Sequence, residues 1–383
     1  AYREEEGQTS IESLPQATVA ALLDHALGNR PEAEMAAVVE IPHADAFSGE
    51  MRERAVRAVE KELQNMIDRR FVDVSELPEG QRDPSRALEC RFSMTQKRPT
   101  PEQIINKEPG TIKARLVAKD LKARRKLDPA LTHADTPGTV AFRLLMATFD
   151  KNTHRISSTD FDCAYLQSSD RPQADWILIK FWHPVMKKWV VVGLRGVIYG
   201  EQRGASEWKT TLTEYLKSQG FIELVNAPSV YVHPGRSGDG GDGSKEHEEC
   251  GPRAKVTILC HVDDPLIMTR CYEDEEWTHE MIERRFDTKG RRTLCADTVI
   301  DFLSMRITLD AEGEVCIDNQ DKIEAFLEQE GLSDCNPTAV PITDAIVGAI
   351  AAGRDELYDA EDKQRYQAHV GQLRWIADMT HPT

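Results

Sequence analysis

The chain has 383 residues, 40% of them hydrophobic and 30% charged, a soluble globular composition sized for two or three structural units at roughly 150 residues each. No apolar run approaches the ~20 residues that span a bilayer, and no secretory signal is visible; membrane-spanning, collagen-like and wholly disordered readings are excluded. The net charge of −17 argues against a nucleic-acid partner by its sum, but not by its distribution: residues 1–50 hold ten acidic and two basic side chains, whereas residues 111–126 hold seven basic side chains against Asp120 alone.

Residues 1–50 read as an acidic, Ala-rich leader. From Met51 to Arg70, the residues Ala55, Val56, Val59, Leu63, Met66 and Ile67 recur at three- and four-residue steps, which predicts an amphipathic helix. Strands are expected at Ala87–Met94 and Lys113–Lys119, separated by a Pro-containing loop, and a helix at Val140–Phe149. His154–Phe161 reads as a strand with Asp160 near its end, and Trp176–Phe181 and Trp189–Leu194 as two more. Ala205–Gln219 is a helix with Trp208, Leu212, Tyr215 and Leu216 on one face and Gly220 as its stop. Residues 234–253, with six glycines and both charge signs, read as an insertion. Ala254–Val262 is a strongly apolar strand, Asp263-Asp264 its turn and Leu266–Met268 the return. A helix is expected at Glu275–Phe286. Strands at Val299–Leu309 and Glu314–Ile317 are joined at Glu312-Gly313, and helices follow at Lys322–Glu330 and Arg365–Met379 around an acidic loop at 343–363. Hairpins mixed with separate helices predict an α+β fold.

The eight cysteines show no C-x-x-C pair and are expected as reduced thiols. His247 and Cys250 lack the further ligands that a structural zinc requires. The carboxylates are more informative. Asp160 closes one apolar strand, and Asp263 and Asp264 stand at the tip of an apolar hairpin. Adjacent like charges repel, and apolar flanks cost them hydration. From the residues alone the pair is either an ordinary turn dipeptide or one end of a site for a hard cation.

The segment Asp160-Phe161-Asp162-Cys163-Ala164-Tyr165 resembles motif A of reverse transcriptases, and His261-Val262-Asp263-Asp264 resembles motif C. Lys113-Ala114-Arg115-Leu116-Val117-Ala118-Lys119 is similar to the fingers segment K-A-R-L-V-A-K of copia-type retrotransposon polymerases. Ile198 to Trp208 is similar to their L-Y-G-L-K-Q-A-P-R-A-W, Phe302 to Ile307 to their F-L-G-I-E-I, and Val370 to Ala377 to their V-G-S-L-x-Y-L-A. The resemblance runs from about residue 50 to the last residue. It departs at Arg203, where the family has Gln, and at His261, Pro265 and Ser304.

The resemblance implies a right-hand polymerase with a ferredoxin-like palm. Fingers would occupy 51–150 and the palm 151–274. The rest of the palm, a thumb beginning near Trp277, and a connection toward a ribonuclease H domain would occupy 275–383. It implies RNA- and DNA-directed DNA synthesis by two-metal nucleotidyl transfer. Asp160, Asp263, Asp264 and the backbone of Phe161 would hold two Mg²⁺ ions, for which Mn²⁺ can substitute. Lys113, Arg115, Tyr165 and Arg203 would contact the nucleotide, with Tyr165 excluding a ribose 2′-hydroxyl. Implied partners are a primed RNA or DNA template, deoxynucleoside triphosphates and the integrase and ribonuclease H parts of a polyprotein, in cytoplasmic particles and the nucleus and not at a membrane. The four departures leave open an alternative, a weak or inactive descendant that binds nucleic acid or protein.

Overall fold

In the computed structural model, the residues described are 39–97, 99, 103, 109–120, 127–233, 256–335 and 359–380. The leader up to residue 38, the basic residues 121–126, the insertion and most of the acidic 343–363 segment lie outside them. Among the described residues helices and strands are mixed, as the α+β expectation requires, and the strands form three sheets.

The first sheet has six strands. Its members are β1 (Val39–Ile41), β2 (Phe71–Val72), β3 (Leu88–Gln96), β4 (Ile112–Ala118), β6 (Ile177–His183) and β7 (Lys188–Leu194). Burial alternates along β4, with Ile112, Ala114, Leu116 and Ala118 inward and Lys113 and Arg115 on the other face. The long helix α2 (Arg52–Arg69) follows the short α1 (His43–Ala46) and packs against β4 through Ala55, Val59 and Met66, as its spacing predicts. A carboxylate is buried with them: Glu62 accepts the Leu116 amide at 2.9 Å.

The second sheet holds Asp160 and Asp264. Its order is β12-β5-β11-β10-β9-β8, with β5 (Arg155–Phe161), β8 (Ile222–Leu224), β9 (Ala227–His233), β10 (Val256–His261), β11 (Asp264–Thr269) and β12 (Thr288–Thr293). Both faces are covered, so β10 and β11 are apolar without alternation. On one face Phe161, Ile258, Cys260 and Ile267 meet Trp208, Leu212 and Leu216 of helix α5 (Gly204–Ser218) and Met281 and Ile282 of helix α6 (Tyr272–Glu283). On the other face Ile156, Leu259, Leu266 and Met268 meet Phe142 and Met146 of α4 (Thr139–Ala147), which follows the short α3 (Pro129–Thr132). The same face meets the third sheet, β13 (Ile300–Phe302), β14 (Met305–Leu309) and β15 (Val315–Asp318). Helices α7 (Gln320–Gln329) and α8 (Ala360–Thr380) complete the described chain.

Several expectations are corrected. The Val299–Leu309 strand is a hairpin that turns at Leu303-Ser304, where both residues have positive φ (52° and 60°) without the Gly or Asn that signals such a turn. The turn between β10 and β11 consists of Val262 and Asp263, because Asp264 pairs with His261 and belongs to β11. Strand β12 departs from the sequence expectation altogether, since Thr-Lys-Gly-Arg-Arg-Thr carries no apolar alternation. Trp277 of α6 stacks on Phe221 at 6.0 Å beside the second sheet. Cys271 is disulfide-bonded, against the expectation of eight free thiols, its partner lying outside the described residues.

Candidate active site at the edge of the second sheet

Strand β5 lies between β11 and β12. Extending the Ser158–Leu266 register by two residues brings Asp160 alongside Asp264, and the Phe161 amide donates to the Asp263 carbonyl at 3.0 Å. The three aspartates expected to act together therefore share one end of the sheet. The turn that presents Asp263 is strained. Val262 has φ 57°, a region that β-branched residues seldom enter. It is held from behind: the buried Trp208 indole donates to the Val262 carbonyl at 2.7 Å. Trp208 is fixed in turn by edge-on contacts with Phe161 and Phe286 at 5.1 and 5.3 Å. The aromatic of the α5 segment thus braces the motif C-like turn.

The electrostatics are those of crowded like charges. Burial, then the charges of Asp263 and Asp160, push the Asp264 carboxyl up to about 6, although the residue keeps solvent contact. Burial, with Asp160, also raises Asp263, against the pull of Arg115 and Lys289. Lys289, absent from the sequence-based site, supplies the local counter-charge. Its Nζ lies 3.2 Å from Asp160 and 2.5 Å from Asp162. Burial opposes its charge, but the hydrogen bond to Asp162 and the charge of Asp160 outweigh it, and its pKa is raised. The β12 register pairs Lys289 with Asp160, and a bulge at Gly290 (φ 65°) interrupts the strand just beyond. Among the described residues no group of three or more His, Cys, Asp or Glu is arranged to hold a cation as it stands.

Lys113 and Arg115 share the outward face of β4. Burial, then the charges of Arg115 and Lys289, lower the Lys113 pKa, which puts it among the cations of the site. The Arg115 guanidinium sits over the Tyr199 ring, 4.9 Å from its centroid. The sequence segments of β4 and residues 198–208 are joined directly. Ala118 donates to the Tyr199 carbonyl at 2.7 Å, and Gln202 donates through its backbone and side-chain nitrogens to Asp120, each at 3.1 Å. Gly200 permits this approach: its φ is 78°, and a Cβ there would stand 2.5 Å from the Ala118 oxygen.

Tyr165 is half-buried, 5.3 Å from the Tyr199 ring, and burial, then Asp263, raise its pKa. Arg203 is engaged with a carboxylate: its Nε lies 2.9 Å from Glu207. Glu207 belongs to a buried network in which Arg171 reaches both Glu207 and Glu201 at 2.8 Å. Two further positioning residues emerge only from the packing. Gln167 donates to the carbonyls of Asp162 and Asp287 and accepts the Asp287 amide, tying the loop after β5 to the start of β12. Arg70, buried at the end of α2, donates to the Tyr165 and Ser168 carbonyls and to Asp170. A lone Gln in a loop and a lone Arg at a helix end give no sequence signal for either role.

No protein-family model matches the sequence. Over 266 residues the chain is 23% identical to a retrovirus-related Pol polyprotein from transposon RE2 of Arabidopsis thaliana. The similarity supports a retrotransposon origin. It covers 69% of this chain but 16% of that polyprotein, so the chain spans about a sixth of its curated relative. Among solved structures, telomerase from Candida albicans in complex with a TWJ fragment of telomeric RNA overlaps with a TM-score of 0.33 at 10% identity, covering 68% of this chain and 50% of that one. Apo telomerase from Candida tropicalis overlaps with a TM-score of 0.39 at 9% identity, covering 74% of this chain and 56% of that one. No described helix is long and apolar enough to cross a membrane.

Proposed function

We propose that the chain is a reverse-transcriptase domain that extends a primer by nucleotidyl transfer, with the second sheet as palm and the first sheet with α2 as fingers. The observation that carries the reading is the convergence of Asp160, Asp263 and Asp264 on one sheet end, facing Lys113, Arg115 and Lys289. Hard oxygen donors crowded together, with Asp263 and Asp264 both raised by burial and neighbouring carboxylates, fit divalent cations better than they fit solvent. Asp160 and Asp263 would each contribute to holding two Mg²⁺ ions, with Asp264 and the Phe161 backbone beside them. When bound, such a pair stabilises the attacking and leaving oxygens of an in-line phosphoryl transfer. The chain's own part is positional. Arg115, stacked on Tyr199, offers a planar fork to the triphosphate, and Lys113 a point charge. Tyr165 would sit beneath the sugar. Lys289 would release Asp160 on cation binding and turn to phosphate.

Primer extension by the full chain on a primed RNA template, with Mg²⁺ or Mn²⁺, tests this. Extension is expected, and Asp160→Asn should lower it at least about a thousandfold, roughly 4 kcal/mol of barrier. An unaffected variant would show the site to be misassigned. A second reading, a descendant that binds without synthesis, is favoured by the grip of Lys289 on both Asp160 and Asp162 and by Arg203, tied to Glu207, at the family's Gln position. Template binding without extension in either metal would select it.

A further inference from the structure

The hairpin of β6 and β7 ends in a tip that the chemistry above does not use. Of the six tryptophans in the chain, Trp182 and Trp189 are the two with large exposed surface, 41% and 53%. They are a direct cross-strand pair on the outward face, 6.0 Å apart and nearly perpendicular (74°). Val185 and Met186 extend the apolar surface over the turn. The turn is closed by hydrogen bonds: the Lys187 amide donates to the His183 carbonyl at 2.9 Å, and the Met186 amide to the His183 ring at 3.3 Å. Residues 180–194 include Lys180, Lys187 and Lys188 and no carboxylate, in a chain of net charge −17. Lys187 and Lys188 are exposed and have no ion-pair partner among the described residues. Two acids of other segments approach the hairpin: Glu60 acts on His183 at the turn, and Glu89 is opposite Lys180 in the sheet.

We infer that this tip binds single-stranded nucleic acid, its bases stacking on Trp182 and Trp189 and its phosphates held by Lys187 and Lys188. Rings fixed on strands present π-faces at little entropic cost, and cations with no carboxylate partner suit a polyanion. The exposed aromatic pair explains itself as a stacking platform, where a sheet edge shielded only from solvent would carry polar residues. The inference rests on the reading of the chain as a template-using domain, for which it supplies a hold on the unpaired strand outside the carboxylate site.

The test uses the full chain and a labelled oligo(dT) strand without nucleotides or divalent metal, so that it is independent of catalysis. Trp182→Ala with Trp189→Ala should weaken binding at least tenfold with an unchanged melting temperature. Trp182→Phe with Trp189→Phe should restore most of it. Lys187→Ala with Lys188→Ala should weaken binding and lower the salt slope by about 1 to 2. Equal binding by parent and both alanine variants, or no binding by the parent, overturns the inference and leaves the primer-extension result to judge the function separately. Two other outcomes also overturn it. The Trp variants could lose adhesion to phosphatidylserine vesicles while keeping the oligonucleotide, or lose a concentration-dependent dimer.

Discussion

Two charged regions lie on either side of the loop that follows β5, and they solve opposite problems. Around Arg171, signs alternate: Glu201 and Glu207 flank it, Arg203 flanks Glu207, and Arg70 meets Asp170. Glu201 is 1% exposed at its side chain and Arg171 5%, yet each buried charge has a partner. At the end of the second sheet the signs accumulate instead. Asp160, Asp263 and Asp264 crowd together, and of the three Lys289 pairs with Asp160. The first arrangement serves the fold, since unpaired burial there would be ruinous. The second crowds like charges that burial and one another's fields penalise, the pattern on which the proposed site rests.

The two regions should respond in opposite ways to neutralisation. Arg171→Met should destabilise the chain by about 3–5 kcal/mol, because it removes the buried guanidinium that both Glu201 and Glu207 meet. Urea unfolding at pH 7 reads this directly, and a loss under about 1 kcal/mol would mean that the network is not structural. A milder probe lies behind the same sheet. His279 is 1% exposed and shares a 2.9 Å hydrogen bond with Ser157, and burial, then Arg291, lower its pKa to about 4. The unfolded chain protonates it near 6.5, so unfolding takes up a proton between about pH 6.5 and 4. Stability should fall through that window as pH drops, by on the order of 2–3 kcal/mol. His279→Gln should flatten the slope, and an unchanged slope would assign it to other groups. The smallest effect has the other sign. Asp264 has a folded pKa above its unfolded value, so its charge costs stability progressively as pH rises from about 4 through about 6. Asp264→Asn should therefore stabilise the chain by about 1 kcal/mol at pH 7 in EDTA, the figure discounted for its solvent contact. A loss of stability there would put Asp264 in the same class as Glu201.

Much of this architecture is legible in the order of the amino acids. Strand β4, strand β5 and helix α5 carry strong apolar periods and the β10–β11 hairpin a near-continuous apolar run, and their positions agree with the sequence reading to within a few residues. Asp160, Asp263 and Asp264 stand out because they are charges at the ends of apolar strands. What the sequence hides has a common physical cause. Strand β12 is an exposed edge whose Lys-Gly-Arg-Arg side chains need no alternation, so Lys289 gives no signal. The turns at Val262 and Leu303-Ser304 place ordinary residues at positive φ, where tertiary packing overrides local preference. The sequence makes Arg203 a nucleotide contact, but its pairing with Glu207 depends on a network assembled from distant segments.

The buried Glu62 carboxylate, which takes the Leu116 amide, has a consequence for the protein in a crowded solution. A strand at the margin of a sheet offers its bare amides to any passing chain and seeds intermolecular growth. On β4 that margin is sealed twice, by Glu62 at Leu116 and by the Tyr199 carbonyl at Ala118. The strand that carries Lys113 and Arg115 is thereby denied a second use as a template for aggregation. A side chain from α2 closes this margin while the cations stay on the other face.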